Sequence, residues 1–205
     1  MPDTPSAAPL TTATVHNPFA LFTEWLGEAA QREINDPNAM TLATCTKAGM
    51  PSARIVLLKG HDEAGFVFYT NTESRKGCEL HANRRAALLF HWKTLQRQVR
   101  IEGVVEDVTD AEADAYYATR ARVSRLGAWA SIQSRPLPAR ADLEQRVAEA
   151  EARYPQEAIP RPPHWSGFRV VPDRFEFWQD MPYRLHDRTI LVREGNGWAS
   201  SKLYP

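Results

Sequence analysis

The chain has 205 residues, enough for one domain with a sizeable core. Its 25 basic and 25 acidic residues balance, which argues against a global field for nucleic acid or an anionic membrane. Cys45 and Cys78 lie in no metal-ligand spacing and fit a reducing compartment. With no run of ~18 apolar residues and no basic-then-apolar leader, the expectation is a cytoplasmic protein.

Residues 1–16 are rich in Pro, Ala, Thr and Ser and read as a flexible tail, which leaves 17–205 as the domain. Asn17-Pro18 predicts a helix start, with Asn as N-cap and Pro at the first helical position. Phe19, Phe22, Leu26 and Ala29 follow at helical spacing and form one apolar face. After Asp36-Pro37 the pattern changes. Met40–Thr46, Ser52–Lys59 and Phe66–Thr70 read as strands, with turns at Lys47-Ala48-Gly49 and Gly60–Gly65. Short strands at this spacing suggest a meander or barrel. Arg54 and Lys59 bracket the apolar part of the second strand. In a regular strand they point to opposite faces, which suits two neighbouring sites better than one, and read alone the pair equally describes two side chains snorkelling from the strand ends.

The stretch from Thr70 to Lys76 precedes a helix expected to run to about Ala82. Small polar residues at a helix start leave backbone N–H groups free for an anion, and Arg75 and Lys76 add charge. Read alone, the same stretch describes a capped surface helix. Ala86–Trp92 and Gln98–Val105 are two more strands, and Thr109-Asp110-Ala111-Glu112 fits a capping box that opens a helix through Tyr116 and Tyr117. Tyr116, Arg120 and Ser124 recur at a helical interval and line one side if the helix extends that far. Ser124–Ile132 is a short apolar segment carrying Trp129, and Gln133-Ser134 reads as a helix end before Arg135-Pro136. Ala139–Arg153 is a charged amphipathic helix, closed by the Pro-rich loop at 160–163. Gly167–Val171, the stretch Phe175–Arg188 and Gly197–Leu203 complete the chain, with Asn196-Gly197 as a hairpin turn. The sum is a β-rich α+β fold: a central antiparallel barrel with flanking helices.

Phe175–Arg188 reads FEFWQDMPYRLHDR. If Tyr183–Ile190 is extended, Arg184, His186 and Arg188 share one face, and three basic groups together either call for an anion or form the solvated basic side of an edge strand. P-loop, Rossmann, H-E-x-x-H and G-x-S-x-G patterns are absent, and the six His are scattered, so no metal site is indicated.

This run pairs Glu, an aromatic and Trp with a short spacer and Arg-Leu-His-Asp-Arg. It resembles the signature of the pyridoxamine 5′-phosphate oxidases, and the resemblance extends from about Asn17 to Pro205. It implies an FMN-binding split barrel, a homodimer with flavin at the subunit interface, and no nucleic-acid or membrane partner. By that resemblance FMN is held by Arg54, Ile55, Val56, Leu57, Leu58, Lys59, Tyr69, Thr70, Arg75, Lys76, Gln98, Gln133, Ser134, Trp178 and Arg188. Arg75 and Lys76 take its phosphate. Lys59, Tyr116, Arg120, Ser124, Arg184, Leu185 and His186 hold a phosphorylated substrate, with Arg184 and His186 as the catalytic pair that positions the reacting ring. The implied reaction oxidises pyridoxamine or pyridoxine 5′-phosphate to pyridoxal 5′-phosphate, with dioxygen reduced to hydrogen peroxide and ammonia released from the amine. The alternatives are a related flavin oxidase on another aromatic, such as a phenazine precursor, and a non-catalytic flavin or pyridoxal-phosphate carrier. The sequence departs from the family pattern in two respects. An Arg and a Tyr that close over substrate in relatives have no counterpart in residues 1–16, and Lys202 stands where Arg is frequent, keeping the charge without the bidentate fork.

Overall fold

The computed structural model describes residues 17–205, so the tail expected over 1–16 lies outside the described residues. Asn17 caps the first helix, α1 (Pro18–Arg32), as its sequence predicts: Oδ1 accepts from the Phe19 and Ala20 N–H groups at 2.9 and 3.2 Å. The buried face is Phe19, Phe22, Trp25 and Ala29. Leu26, expected there, is only partly buried. The larger Trp25 takes its place, packing edge-on to Phe177 at 5.2 Å beneath the Arg97 guanidinium at 4.5 Å.

Among the described residues nine strands follow: β1 (Ala39–Cys45), β2 (Pro51–Leu57), β3 (Gly60–Asp62), β4 (Gly65–Asn71), β5 (Arg85–Trp92), β6 (Arg97–Asp107), β7 (Trp165–Gln179), β8 (Asp187–Glu194) and β9 (Gly197–Lys202). They form one antiparallel sheet in the order β2-β1-β5-β6-β7-β4-β3, with β8 on β7 and β9 on β8. The expected Gly60–Gly65 turn is itself a small hairpin, β3 pairing with β4.

The strand β7 gives the sheet its shape. The sequence reads as two strands there; the structure has one of 15 residues running through Pro172. Proline lacks the N–H that a ladder needs, and the register with β6 shifts between Glu102 and Gly103 to accommodate it. A Cβ on Gly103 would lie 2.0 Å from the Val171 carbonyl oxygen, so the irregularity requires glycine. Beyond this point β7 changes partner: Trp165–Val170 pairs with β4, and Arg174–Gln179 pairs with β8. One strand thus serves two halves of a curled sheet, a split barrel. Its inside is filled by Phe22, Phe66, Phe90 and Phe175, all fully buried, with Phe22 centred 4.9 Å from Phe66 and 5.0 Å from Phe90.

The helices are α2 (Arg75–Ala82), α3 (Asp110–Ala118), α4 (Arg122–Ala130) and α5 (Arg140–Arg153). The capping box at Thr109 and Glu112 forms as expected. The chain then breaks between α3 and α4, so Tyr116, Arg120 and Ser124 do not share one helix. The apolar segment after it is helical. Tyr183–Ile190 is extended only from Asp187 onward. A 3₁₀ turn occupies Pro182–Arg184, with Tyr183 and Arg184 in the left-handed region at φ +60° and +63°, and β8 starts only at Asp187. Strand alternation therefore does not govern Arg184 and His186. Among the described residues no helix is long and apolar enough to cross a membrane.

Candidate active site

The strand β2 ends at Leu57, and its continuation splits two expected contacts. Leu58 is buried in the core, and the Lys59 N–H donates to the Val67 carbonyl at 2.8 Å, which turns the chain into the β3–β4 hairpin. Lys59 then lines a cavity of about 250 Å³ together with Ile55, Val56, Leu57, Tyr69, Thr70, Lys76, Tyr116, Arg120, Gln133 and Trp165. A second lobe of about 390 Å³ shares Tyr69, Thr70, Arg120, Gln133 and Trp165, and adds Ser124. The bend between α3 and α4, not a continuous helix, brings Tyr116, Arg120 and Ser124 to one groove.

One wall of this groove is aromatic. Tyr69 stacks on Tyr116 at 4.1 Å and on Trp165 at 5.4 Å, with the rings near parallel in both pairs. The guanidinium of Arg120 lies over Trp165 at 4.9 Å, a cation–π contact. Its Nη1 is buried and makes no hydrogen bond among the described residues. Burial pulls the Arg120 pKa down, with Tyr117 and Tyr116 opposing. A half-buried cation with one buried, unused donor is a place for an anion. Lys76 Nζ donates to Thr70 Oγ1 at 2.9 Å and Gln133 Oε1 at 3.0 Å, and burial followed by the nearby Arg54 lowers its pKa.

At the start of α2 a second cationic group forms. Ser74 caps the helix by accepting from the Gly77 N–H. Arg54 from β2 and Arg75 from α2 both bond to Glu79, whose side chain is only 4% exposed, at 3.2 and 2.8 Å. Burial opposes ionisation of Glu79, but hydrogen bonds from Ser52, Thr44, Arg75 and Arg54 outweigh it and hold the carboxyl at about 2. Arg54, Arg75 and Lys76 against this one carboxylate leave two surplus positive charges, which matches a phosphate dianion. The donor set and the aromatic groove therefore fit a phosphorylated flavin beside a phosphorylated aromatic.

The other expected residues stand apart. Gln98, Trp178 and Arg188 line a separate cavity of about 220 Å³ with Leu89, Arg100 and Glu176. Arg188 forks onto Glu176 Oε1 through Nε and Nη2 at 2.8 and 2.6 Å. The His186 ring lies 4.7 Å from Trp178, and its Nδ1 is 2.8 Å from Asp180 Oδ1. Lys202 reaches Asp187 Oδ1 at 2.5 Å, so the lysine in place of the family's arginine still braces the signature. Arg184 and Leu185 are exposed, and so is Ser134, left-handed at φ +68°. In the sheet order β1 and β5 lie between β2, which carries Arg54, and β6, which carries Gln98. Within one chain the cavity of Gln98, Trp178 and Arg188 and the Lys59–Arg120 groove form two separate groups. Trp165 and Glu79 escaped the sequence reading. Trp165 directly follows the Pro-rich loop but belongs to no periodic pattern there, and Glu79 looks like any helix surface acid.

The sequence profile described as "Pyridoxamine 5′-phosphate oxidase" matches residues 26–154, and that described as "Pyridoxine 5′-phosphate oxidase C-terminal dimerisation region" matches residues 165–205. A protein of Rhodospirillum rubrum named pyridoxine/pyridoxamine 5′-phosphate oxidase is 64% identical over 194 residues, covering 92% of this chain and 96% of its own. The structure is similar to that of PhzG from Burkholderia lata 383 in complex with tetrahydrophenazine-1-carboxylic acid: TM-score 0.87, 34% identity, 92% of this chain and 93% of that one. It also shares its fold with a pyridoxamine 5′-phosphate oxidase-related, FMN binding protein of Nostoc punctiforme, at TM-score 0.73 and 16% identity over 92% of this chain and 98% of that one. On its sequence, its split barrel and its C-terminal dimerisation region, the chain belongs to the pyridoxamine 5′-phosphate oxidase family.

Proposed function

We propose that this protein is an FMN-dependent oxidase that converts pyridoxine 5′-phosphate and pyridoxamine 5′-phosphate to pyridoxal 5′-phosphate. The observation that carries this reading is the groove that joins Lys59 and Arg120, whose Nη1 has no hydrogen-bond partner among the described residues, to a wall of stacked rings. A phosphorylated aromatic offers the complementary chemistry: a dianion for the cations and a π-face for the wall. The name of the 64% identical relative supports the same substrates. Bound FMN supplies the two-electron acceptor. Arg54, Arg75 and Lys76 balance its phosphate, and Thr70 and Gln133 line the adjoining groove. Lys59 and Arg120 bind the substrate phosphate, with Tyr116 and Ser124 as further donors. Dioxygen is the final acceptor, with hydrogen peroxide as product and ammonia from the amine.

The working unit in this proposal is a homodimer, supported by the match of residues 165–205 to a dimerisation region. Gln98, Trp178, Arg188, Arg184 and His186 of one subunit then complete the groove of the other. Asp180 Oδ1 and the Met181 N–H both meet His186 at Nδ1, at 2.8 and 3.3 Å, which leaves Nε2 as the ring nitrogen that faces the substrate. Two free cysteines support a cytoplasmic location.

The likeness to PhzG favours a second reading, oxidation of a phenazine-type aromatic. The cations Lys59 and Arg120 weigh against it, because they suit a phosphorylated ligand. The deciding experiment is a visible spectrum of the purified protein, followed by turnover under air with each B6 phosphate. Pyridoxal 5′-phosphate and peroxide over many turnovers support the oxidase. A flavin spectrum with no turnover on either phosphate would sink it in favour of another aromatic or a carrier.

A further inference from the structure

Glu79 belongs to none of the groups that touch cofactor or substrate, yet two arginines and two hydroxyls converge on it. Its Oε2 accepts from Thr44, from Ser52 Oγ at 2.6 Å and from Arg54 Nη2 at 3.2 Å. Its Oε1 accepts from Arg75 Nε at 2.8 Å. One buried carboxylate thereby ties β1, β2 and α2 together, with a guanidinium on each oxygen.

The two arginines are left in different states. All four bonds from the Arg54 Nη groups run to protein acceptors: Leu42 O at 3.1 Å, Thr44 Oγ1 and Ser52 Oγ at 2.6 Å each, and Glu79. Arg54 therefore acts mainly as a fixed charge. Arg75 spends only Nε on Glu79, and among the described residues its two Nη groups have no partner, with the side chain 59% exposed. Like charges this close repel, and without a shared counter-ion the exposed Arg75 would swing to solvent. Glu79 is also the residue that sets the local count at three cations to one anion, the balance a dianion requires.

We propose that Glu79 is a positioning residue for the cofactor phosphate: it fixes Arg54 and Arg75 so that the start of α2 distinguishes a phosphorylated flavin from an unphosphorylated one. This rests on the FMN reading above. The test compares FMN and riboflavin, which differ only in the phosphate, by titrating apoprotein and following flavin fluorescence. Glu79→Gln is near-isosteric but turns an N–H₂ group toward one of the two guanidinium groups. We expect its Kd for FMN to rise about tenfold or more, the scale of a lost charge-assisted hydrogen bond, and its Kd for riboflavin to stay within about twofold. A carboxylate that only holds the fold together would weaken both flavins alike, and that result overturns the proposal. So does an FMN affinity that is unchanged or tighter in the variant. Wild-type protein that binds no FMN would overturn the FMN reading as well, whereas wild-type binding with an unaltered FMN-to-riboflavin ratio in the variant removes this inference alone. If Glu79→Gln does not fold, Thr44→Val supplies the same comparison. It removes one donor to the carboxylate and one acceptor of Arg54, and a selective loss of about threefold for FMN is expected, with no selectivity as the refuting result.

Discussion

Replacing Arg120 with methionine should stabilise the ligand-free protein while crippling it. In the wild type the guanidinium is drawn from water, and Nη1 lacks a hydrogen-bond partner among the described residues. An unsatisfied buried donor on a charged group costs about 1–3 kcal/mol. Against this stands the cation–π contact with Trp165 at 4.9 Å, which contributes about 0.5–2 kcal/mol. In the Arg120→Met variant the thioether side chain would keep apolar packing over the same ring and owe no hydrogen bond, so the net gain is ~1 kcal/mol. For a chain of this length that raises Tm by about 2–4 °C. The assay is differential scanning calorimetry of flavin-free protein at fixed concentration, because dimerisation couples stability to concentration. In the loaded enzyme the same variant loses a charge-assisted bond to the substrate phosphate, and KM for pyridoxine 5′-phosphate should rise about 10–100-fold. A lower Tm together with an unchanged KM would refute both halves of the reasoning: Arg120 would then be a structural cation and not a held-open ligand for phosphate.

Gly103→Ala places a Cβ 2.0 Å from the Val171 carbonyl, so the β6–β7 irregularity must shift and chemical denaturation should show a loss of about 2 kcal/mol or more. Phe22→Ala empties the centre of the core and should cost about 3–5 kcal/mol in the same assay. Glu79 has a folded pKa of about 2 against an ordinary 4.5, so its contribution to stability is full above about 4.5 and is lost as pH falls toward about 2. The Tm gap between wild type and Glu79→Gln should accordingly narrow from pH ~6 to pH ~3, and a constant gap would disprove the linkage. Mixing a Lys59→Ala dimer with an Arg188→Ala dimer and allowing exchange gives about half heterodimers, each with one intact site. Activity should recover to about a quarter of wild type if sites are shared across the dimer, and not at all if each chain builds its own.

Much of the frame was readable because local chemistry agrees with the final fold. The Asn17 cap, the Thr109–Glu112 box and the helix after Ser74 each form where side chains satisfy nearby N–H groups. What escaped depends on contacts distant in sequence. Trp25 displaces Leu26 because Phe177 and Arg97 wait for it across the core. Pro172 runs through a strand because β6 yields at Gly103. The four-residue spacing of Tyr116, Arg120 and Ser124 suggested one helix side, and a bend delivers them to one groove instead. Glu79 meets Thr44, Ser52 and Arg54 over 25 to 35 residues, a separation at which no periodicity carries information.

Where the sequence reading failed at the signature, the failure itself points to the site. Left-handed backbone is unfavourable for residues with a Cβ, and two of them in succession, Tyr183 and Arg184, cost more than an ordinary turn needs. Asp36 and Gln96 are also left-handed, but singly and in loops between elements. The paired strain instead halts extension just before β8 and frees Arg184 and His186 from the strand's alternation, so both can address a ligand beyond the sheet face. Its cost is met by the ladder that resumes immediately: Trp178 pairs with Arg188, Gln179 with Asp187, and Lys202 locks Asp187 from β9. In the proposed dimer this break would turn Arg184 and His186 toward the partner's groove, and the strain at Tyr183 and Arg184 is the observation that motivates that role.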